Sequence, residues 1–328
     1  MEKKDLRIIF MGTPEFAVES LQRMVESGFN VVAVVTQPDK PVGRHGSVLR
    51  PSPVKLYAQE HDIPVLQPEK MKDPAFVESL RAFQADIQVV VAFRMLPEVV
   101  WDMPRLGTFN VHAALLPQYR GAAPINWAII NGEKKTGVTT FFLDHDIDTG
   151  RIIKQKEFAI PDDADLEYVY NGLMHLGADI CIETLTEVLD KEDKIASIPQ
   201  QNSQELHTAP KIFKETCQID WSLSAKSIYD FIRGLSPHPG AWCNICKEGG
   251  KATTLKIYKA QKTTHTDVVL PPLQKCGSLC AVRGHLFVAA GDNWLEIVEL
   301  QLAGKKRMSA KDFLNGNKDI DLFSIVRL

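Results

Sequence analysis

The sequence predicts an α/β chain of two domains, a doubly wound, Rossmann-like N-terminal domain followed by a small C-terminal β-barrel. Three observations predict it. A length of 328 residues is long for one domain and comfortable for two. In the first half, short β-rich apolar runs alternate with helix-period segments, the pattern of a parallel sheet covered on both faces. In the last third, short alternating runs are broken by Gly and Pro, the pattern of a small all-β barrel.

Taken in order, Leu6 to Met11 is a continuous apolar run that ends in Gly12-Thr13-Pro14, with a helix starting near Pro14. Val31 to Val35, Ile87 to Ala92 and Thr108 to Ala113 are further strands, with helices expected at 51–61 and 73–83. The segment Thr36 to Arg50 lacks periodicity and reads as a mobile basic loop. A short helix over Asn126 to Asn131 should close at Gly132, and strands follow at Val138 to Leu143 and Ile152 to Ile160. Asp165 to Asp190 reads as a long amphipathic helix. Residues 191–208 are polar and aperiodic and read as a linker. The domains are therefore expected at 1–190 and 209–328. The barrel strands fall near 241–247, 253–260, 278–282, 285–290 and 294–301.

Bulk properties narrow the class. An apolar content of 45% with 24% charged residues fits a globular protein. No apolar run approaches a membrane span and the first ten residues lack a signal-peptide core, so a cytoplasmic location is expected. The net charge of −3 argues by itself against a nucleic-acid partner, but its distribution does not. Residues 206–328 hold 17 Lys+Arg against 11 Asp+Glu, a surplus of +6, and residues 1–205 hold 21 against 30, or −9. A basic C-terminal piece on an acidic N-terminal piece suits a polyanion held by the former. Ordinary Lys-rich surface is the competing explanation. Gly12-Thr-Pro-Glu-Phe is not the three-glycine dinucleotide fingerprint, so a nicotinamide cofactor is disfavoured. Cys243-x-x-Cys246 and Cys276-x-x-x-Cys280 superficially suggest zinc half-sites. Residues three apart on a strand face opposite sides, and the second spacing is wide, so buried thiols and no metal are expected.

The chemistry concentrates in Phe109-Asn110-Val111-His112-Ala113-Ala114-Leu115-Leu116-Pro117 and in Asp146-Ile147-Asp148-Thr149-Gly150. On a strand, Asn110 and His112 leave the same face. Asn can donate to a developing oxyanion, His can carry a proton, and Asp148 can orient the His or relay the proton. The segment GTFNVHAALLPQYRGAAPIN (107–126) with DHDIDTG (144–150) resembles the folate-dependent formyltransferases. RIIFMGTPEFA (7–17), TQPDKPVGR (36–44), PSPVK (51–55), IDWSLSA (219–225) and LAGKKRMSAKDFL (302–314) extend the resemblance over nearly the whole chain. The last two blocks point to the branch whose acceptor is a tRNA. There are departures: Ala114 replaces a family Ser, Ala113 a Gly, and the Ala-Tyr-Gly loop reads Ala92-Phe93-Arg94, one residue short before Leu96-Pro97.

The resemblance implies a formyltransferase domain and an oligonucleotide-binding-like barrel. It implies formyl transfer from 10-formyltetrahydrofolate to the α-amine of methionine on initiator tRNA. Asn110 and His112 would stabilise the oxygen of a tetrahedral species, at about 3–4 kcal/mol per well-placed donor, and Asp148 would hold His112 or a water. Phe93, Met95, Leu96, Ala114, Leu115, Leu116, Pro117 and Asp146 would form the folate pocket at the C-terminal strand ends. Lys40, Arg44, Arg50, Lys211, Lys305, Lys306 and Arg307 would contact tRNA, mostly at phosphates. No metal is implied, and a monomer is expected. The alternatives are a formyltransferase acting on a small amine, such as a purine-pathway ribonucleotide or an amino sugar, and a non-catalytic folate- or RNA-binding module.

Overall fold

The computed structural model describes residues 2–42, 48–191, 195–201, 205–262 and 269–326. The chain opens with strand β1 (Arg7–Gly12), helix α1 (Glu15–Glu26) and β2 (Asn30–Val35). A short ribbon, β3 (Lys40–Val42) and β4 (Val48–Arg50), precedes α2 (Pro53–Glu60), β5 (Val65–Leu66) and α3 (Pro74–Ala82). Then come β6 (Ile87–Val91), α4 (Glu98–Trp101), β7 (Thr108–His112), β8 (Arg120–Gly121) and α5 (Pro124–Ile130). The half ends with β9 (Lys135–Phe142), β10 (Ile152–Ala159), α6 (Leu166–Lys191) and β11 (Thr208–Ala209).

The caps explain the helix starts. Ser52 accepts from the Lys55 amide and Asp73 from the Ala75 amide, each followed by proline at the first helical position. Among the described residues the first sheet runs β10-β9-β7-β6-β1-β2-β5. Its five strands from β7 to β5 are parallel, and β9 pairs antiparallel with both β7 and β10. Ile9, Met11, Ala33, Val35 and Val90 turn to one face and pack against Phe76, Val77 and Leu80 of α3 and Val100 of α4. On the other face α1 and α6 are joined by the Phe16–Tyr170 ring contact and the Arg23–Asp179 ion pair at 2.7 Å. Helices on both faces make the sheet doubly wound, and its order reverses between β1 and β6, where open α/β sheets bind ligands.

The structure corrects one expectation in this half and adds to another. Thr36 to Arg50 is not loop throughout, because Lys40, Pro41 and Val42 pair with Arg50, Leu49 and Val48 as an antiparallel ribbon. Two three-residue strands are too short for their alternation to register as a pattern. The linker stretch is also more than a tether. Ile198 bridges Ile152, and the His207 carbonyl accepts from the Tyr119 amide at 2.7 Å.

The second half contains α7 (Ala225–Leu235), β12 (Ala241–Lys247), β13 (Thr253–Lys262), β14 (Leu279–Val282), β15 (His285–Ala289), β16 (Trp294–Leu302), β17 (Met308–Ser309), α8 (Ala310–Gly316) and β18 (Phe323–Val326). The sheet runs β14-β15-β16-β13-β12-β18 among the described residues, antiparallel throughout, with β17 pairing on β16. A bridge between Ser278 and Ser324 brings its two edges together, so the barrel is nearly closed. Register shifts at Ile257–Ala260 give β13 the bend that closure needs. Cys243, Ile245, Leu255, Ile257, Val288 and Leu295 fill the interior.

Helix α7 was not expected from the sequence. Ser224 caps it through the Ser227 amide, and Ile228, Tyr229, Ile232 and Leu235 pack on the barrel core. Asp230 and Arg233 are buried too: Arg233 Nε donates to Asp230 Oδ1 at 2.8 Å and Nη1 to the Ala164 carbonyl at 2.8 Å. The two compact units are 1–121, 135–159 and 170–208 on one side, and 122–134, 160–169 and 209–328 on the other. The second unit thus recruits α5, whose Asn126 amide donates to the Gly234 carbonyl at 2.9 Å.

The cysteines follow their strand positions. Cys243 is buried, and burial pushes its thiol up to about 12, while Cys246 on the opposite face is half-buried. Burial pushes Cys181 on α6 to about 12 as well. In the native protein at pH 8, a disulfide reagent is expected to label exposed Cys276 rapidly and to spare Cys181 and Cys243 until denaturant is added. Fast native labelling of Cys243 would contradict the buried placement.

Candidate active site

Strand β7 brings Asn110 and His112 to one face at its C-terminal end, with Asn110 flanked by Val90 and Phe141 and His112 by Thr139. His112 is 6% exposed. Its Nε2 lies 3.0 Å from the Tyr119 carbonyl. A carbonyl only accepts, so Nε2 carries the hydrogen, and the neutral ring keeps its lone pair on Nδ1. That Nδ1 is 3.9 Å from Asp148 Oδ2, too far for a direct hydrogen bond.

Asp148 is held by three devices. Its Oδ2 accepts from the Gly121 amide at 3.0 Å. Its backbone is left-handed at φ 55°, a conformation that costs most residues energy and that Asp tolerates better than most. Gln200 donates Nε2 to the Asp148 and Gly150 carbonyls at 2.8 and 2.9 Å, and Arg120 donates to Gln200 Oε1. Gly150 passes so near β9 that a Cβ there would lie 1.7 Å from the Phe142 carbonyl oxygen. Only glycine fits.

Asn110 supplies the unmet polar capacity. Its Oδ1 is buried without a partner among the described residues. An orphaned buried acceptor costs about 1–3 kcal/mol, which a ligand N–H would offset. The sequence pointed to Asn110, His112 and Asp148 and gave no role to Tyr119, Arg120, Gly121 and Gln200, which hold His112 and the Asp148 loop in place. The Arg-Gly turn was visible as part of the family motif, whereas Gln200 sits in the polar stretch taken for a tether and gave no signal.

The residues expected at folate divide. Met95 is 68% exposed and lines an open groove of about 830 Å³ with Leu96, Pro97, Trp101 and His145. The rest of its lining is Lys70, Met71, Lys72, Glu98 and Val99. Phe93 packs against the core beneath it. The Ala114–Pro117 turn is not among the walls. Leu116 is buried against Phe141 and Ile152, its amide donates to Thr139 Oγ1 at 3.1 Å, and Thr139 donates to the Ala114 carbonyl at 2.6 Å. These contacts tie the turn to β9 and β10. Leu115 covers Gly137 of β9, and Asp146 is exposed with its carbonyl accepting from Thr149.

The basic candidates also divide. Lys40 and Arg50 are exposed and directly opposite each other on the ribbon, beside Val48 and Leu49, which are 58% and 64% exposed. Arg44 lies outside the described residues. Lys305 and Lys306 are exposed on the turn between β16 and β17. Lys211 lies over the Phe213 ring at 5.4 Å. Arg307 stacks on Tyr258 at 4.3 Å and pairs with Glu299 at 2.6 Å, so part of its charge is already answered.

An α/β sheet with an amide, an imidazole and a carboxylate at its strand ends, followed by a nearly closed barrel, defines a class that the comparisons specify. A family profile described as formyl transferase matches residues 6–185, and one described as formyl transferase, C-terminal domain, matches 211–318. The chain belongs to the formyl transferase family. Within it, the Parabacteroides distasonis protein named methionyl-tRNA formyltransferase is 56% identical over 339 residues, covering 99% of this chain and 100% of the relative. A Phocaeicola vulgatus protein of the same name is 56% identical over 326 residues, covering 98% of each. Among solved structures, HypX from Aquifex aeolicus, crystallised with tetrahydrofolic acid, superposes with TM-score 0.61 at 17% identity over 95% of this chain and 47% of HypX. That likeness is one of fold.

Proposed function

We propose that the protein transfers the formyl group of 10-formyltetrahydrofolate to the α-amine of methionyl initiator tRNA, in the cytoplasm and as a monomer. The observation that carries the reading is the full-length 56% identity to a protein bearing that activity in its name, joined to the convergence of Asn110, His112 and Asp148. The groove and the orphaned Asn110 Oδ1 fit a flat heteroaromatic co-substrate with an amine nearby. When bound, the folate supplies the formyl carbon.

The chain's own groups then act as follows. Asn110 Nδ2 donates to the formyl oxygen as negative charge develops on it, an effect of about 3–4 kcal/mol. Asn110 Oδ1 accepts from the attacking amine and aligns it. His112 Nδ1 takes up the ammonium proton, and the Asp148 carboxylate stabilises the resulting imidazolium, so the proton can be returned to the leaving nitrogen. In the same reading, residues 1–190 carry the chemistry, 191–208 connect, and 209–328 hold tRNA through Lys211, Lys305, Lys306 and Arg307. Lys40, Arg44 and Arg50 meet the acceptor end. Phosphate contacts of this kind give affinity that falls steeply with salt.

A formylation assay with 10-formyltetrahydrofolate tests this directly. Methionyl initiator tRNA is expected to be formylated, more slowly as salt rises, and methionyl elongator tRNA much less. Formylation of a ribonucleotide or amino sugar in place of the tRNA would move the protein to the small-amine branch, and no transfer at all would leave only a binding module.

A further inference from the structure

We propose that Asp39 is a positioning residue for tRNA use: its carboxylate, shared between Lys55 and Gln67, fixes the foot of the β3–β4 ribbon that carries Lys40 and Arg50. This rests on the tRNA reading above. Asp39 and Lys55 come from the 36–44 and 51–55 motifs, and the steps derived for the reaction use neither.

The ribbon has no core of its own. Lys40, Pro41, Val48, Leu49 and Arg50 are exposed, and three residue pairs join its strands. A lone two-stranded hairpin is marginal in water, so whatever fixes its direction must lie at its feet. Asp39 immediately precedes the leading strand, and Ser52 stands two residues past the trailing one.

Both feet are tied. Lys55 of α2 donates Nζ to Asp39 Oδ2 at 2.7 Å. Gln67, just past β5, donates Nε2 to Asp39 Oδ1 at 2.7 Å and to the Gln37 carbonyl at 2.9 Å. The Thr36 and Ser52 hydroxyls share a hydrogen bond at 2.8 Å, and Ser52 also caps α2 through the Lys55 amide. The Lys55 and Asp39 side chains are only 17% and 21% exposed, so water and salt screen the pair less than a surface one. The hydrogen bonds from Lys55 and then Gln67 hold the Asp39 carboxyl below its ordinary range, which keeps it ionised at neutral pH. Lys55 therefore answers a carboxylate rather than a phosphate. A ribbon fixed in advance has less to lose in order when an acceptor end meets Lys40 and Arg50.

The sign of one substitution separates this role from plain charge. Asp39→Asn removes a negative charge, so electrostatics alone would tighten a polyanion on the neighbouring cations. Loss of the anchor does the opposite. If about a tenth of the ribbons keep the binding direction, KM for methionyl initiator tRNA rises about tenfold. In formylation kinetics on the full chain, Asp39→Asn and Lys55→Met are each expected to raise that KM about 5- to 20-fold. The value of kcat at saturating tRNA and the affinity for 5-formyltetrahydrofolate should stay as in the wild type. The double variant should match the worse single one, because both break the same pair. Lys55→Arg should behave nearly as the wild type, and the slope of log KM against log salt should not change. An unchanged or lowered KM in Asp39→Asn overturns the anchor, as does an equal loss of folate affinity. Additive effects with a shallower salt slope in Lys55→Met would make Lys55 a phosphate contact and overturn it too. A wild type that does not formylate the tRNA would instead overturn the tRNA reading itself.

Discussion

Replacing His112 with alanine is expected to lower kcat by about 10²- to 10⁴-fold, the range set by losing a positioned proton-transfer group, with the fold intact. The ring is buried, and among the described residues it is held by one bond from Nε2 to the Tyr119 carbonyl, the 3.9 Å approach to Asp148 and an edge contact with Phe141 at 6.4 Å. Asp148→Asn should have an effect of similar size for a different reason. An asparagine oxygen can still accept from the Gly121 amide, so the loop keeps its anchor and loses only the charge. The two residues act on one proton, so the double variant should be little slower than the worse single one, far short of the product of the two effects. Steady-state kinetics at saturating folate and tRNA, with thermal unfolding as a control on folding, decides it. Near-normal kcat in His112→Ala would remove the imidazole from the mechanism, and full additivity would show that the pair does not work as a unit.

Gly150→Ala should be nearly as damaging without touching a reacting group. The added methyl would meet the Phe142 carbonyl at 1.7 Å, against backbone that cannot swing aside, so the loop from 144 to 150 must shift. Gln200, which spans the Asp148 and Gly150 carbonyls, would carry that shift to the carboxylate. A misplacement of about 1 Å in a reacting group costs on the order of 10²-fold in rate. The loss should appear in kcat. Stability should fall by about 1–3 kcal/mol, since the strain is local. Wild-type kcat in Gly150→Ala would mean that the loop has more room than its packing against β9 implies.

The outcome for the fold shows which signals a sequence exposes. Strands β1, β6 and β7 are short β-rich runs, and they fall within one residue of their expected limits. Helix α7 escaped, although Ser224 and the 228–229–232–235 spacing are legible in retrospect, because Asp230 and Arg233 lie among its buried residues and interrupt the apolar stripe. Their mutual ion pair and the Ala164 carbonyl make that burial tolerable, and the Ala164 carbonyl cannot be foreseen from the segment itself.

For the site, the sequence by itself determined the chemical inventory: Asn110 and His112 two apart on a strand, an Asp-Thr-Gly loop, and motifs shared with a family over nearly the whole chain. Residue type and strand period fix such things locally. Only the tertiary structure decided that the Tyr119 carbonyl sets the His112 tautomer, that Gln200 braces Asp148, and that Leu116 serves the core while Lys70 and Lys72 wall the groove. Each of those facts depends on a hydrogen bond or contact between segments distant in sequence or on the direction a loop side chain takes, and neither leaves a periodic trace along the chain.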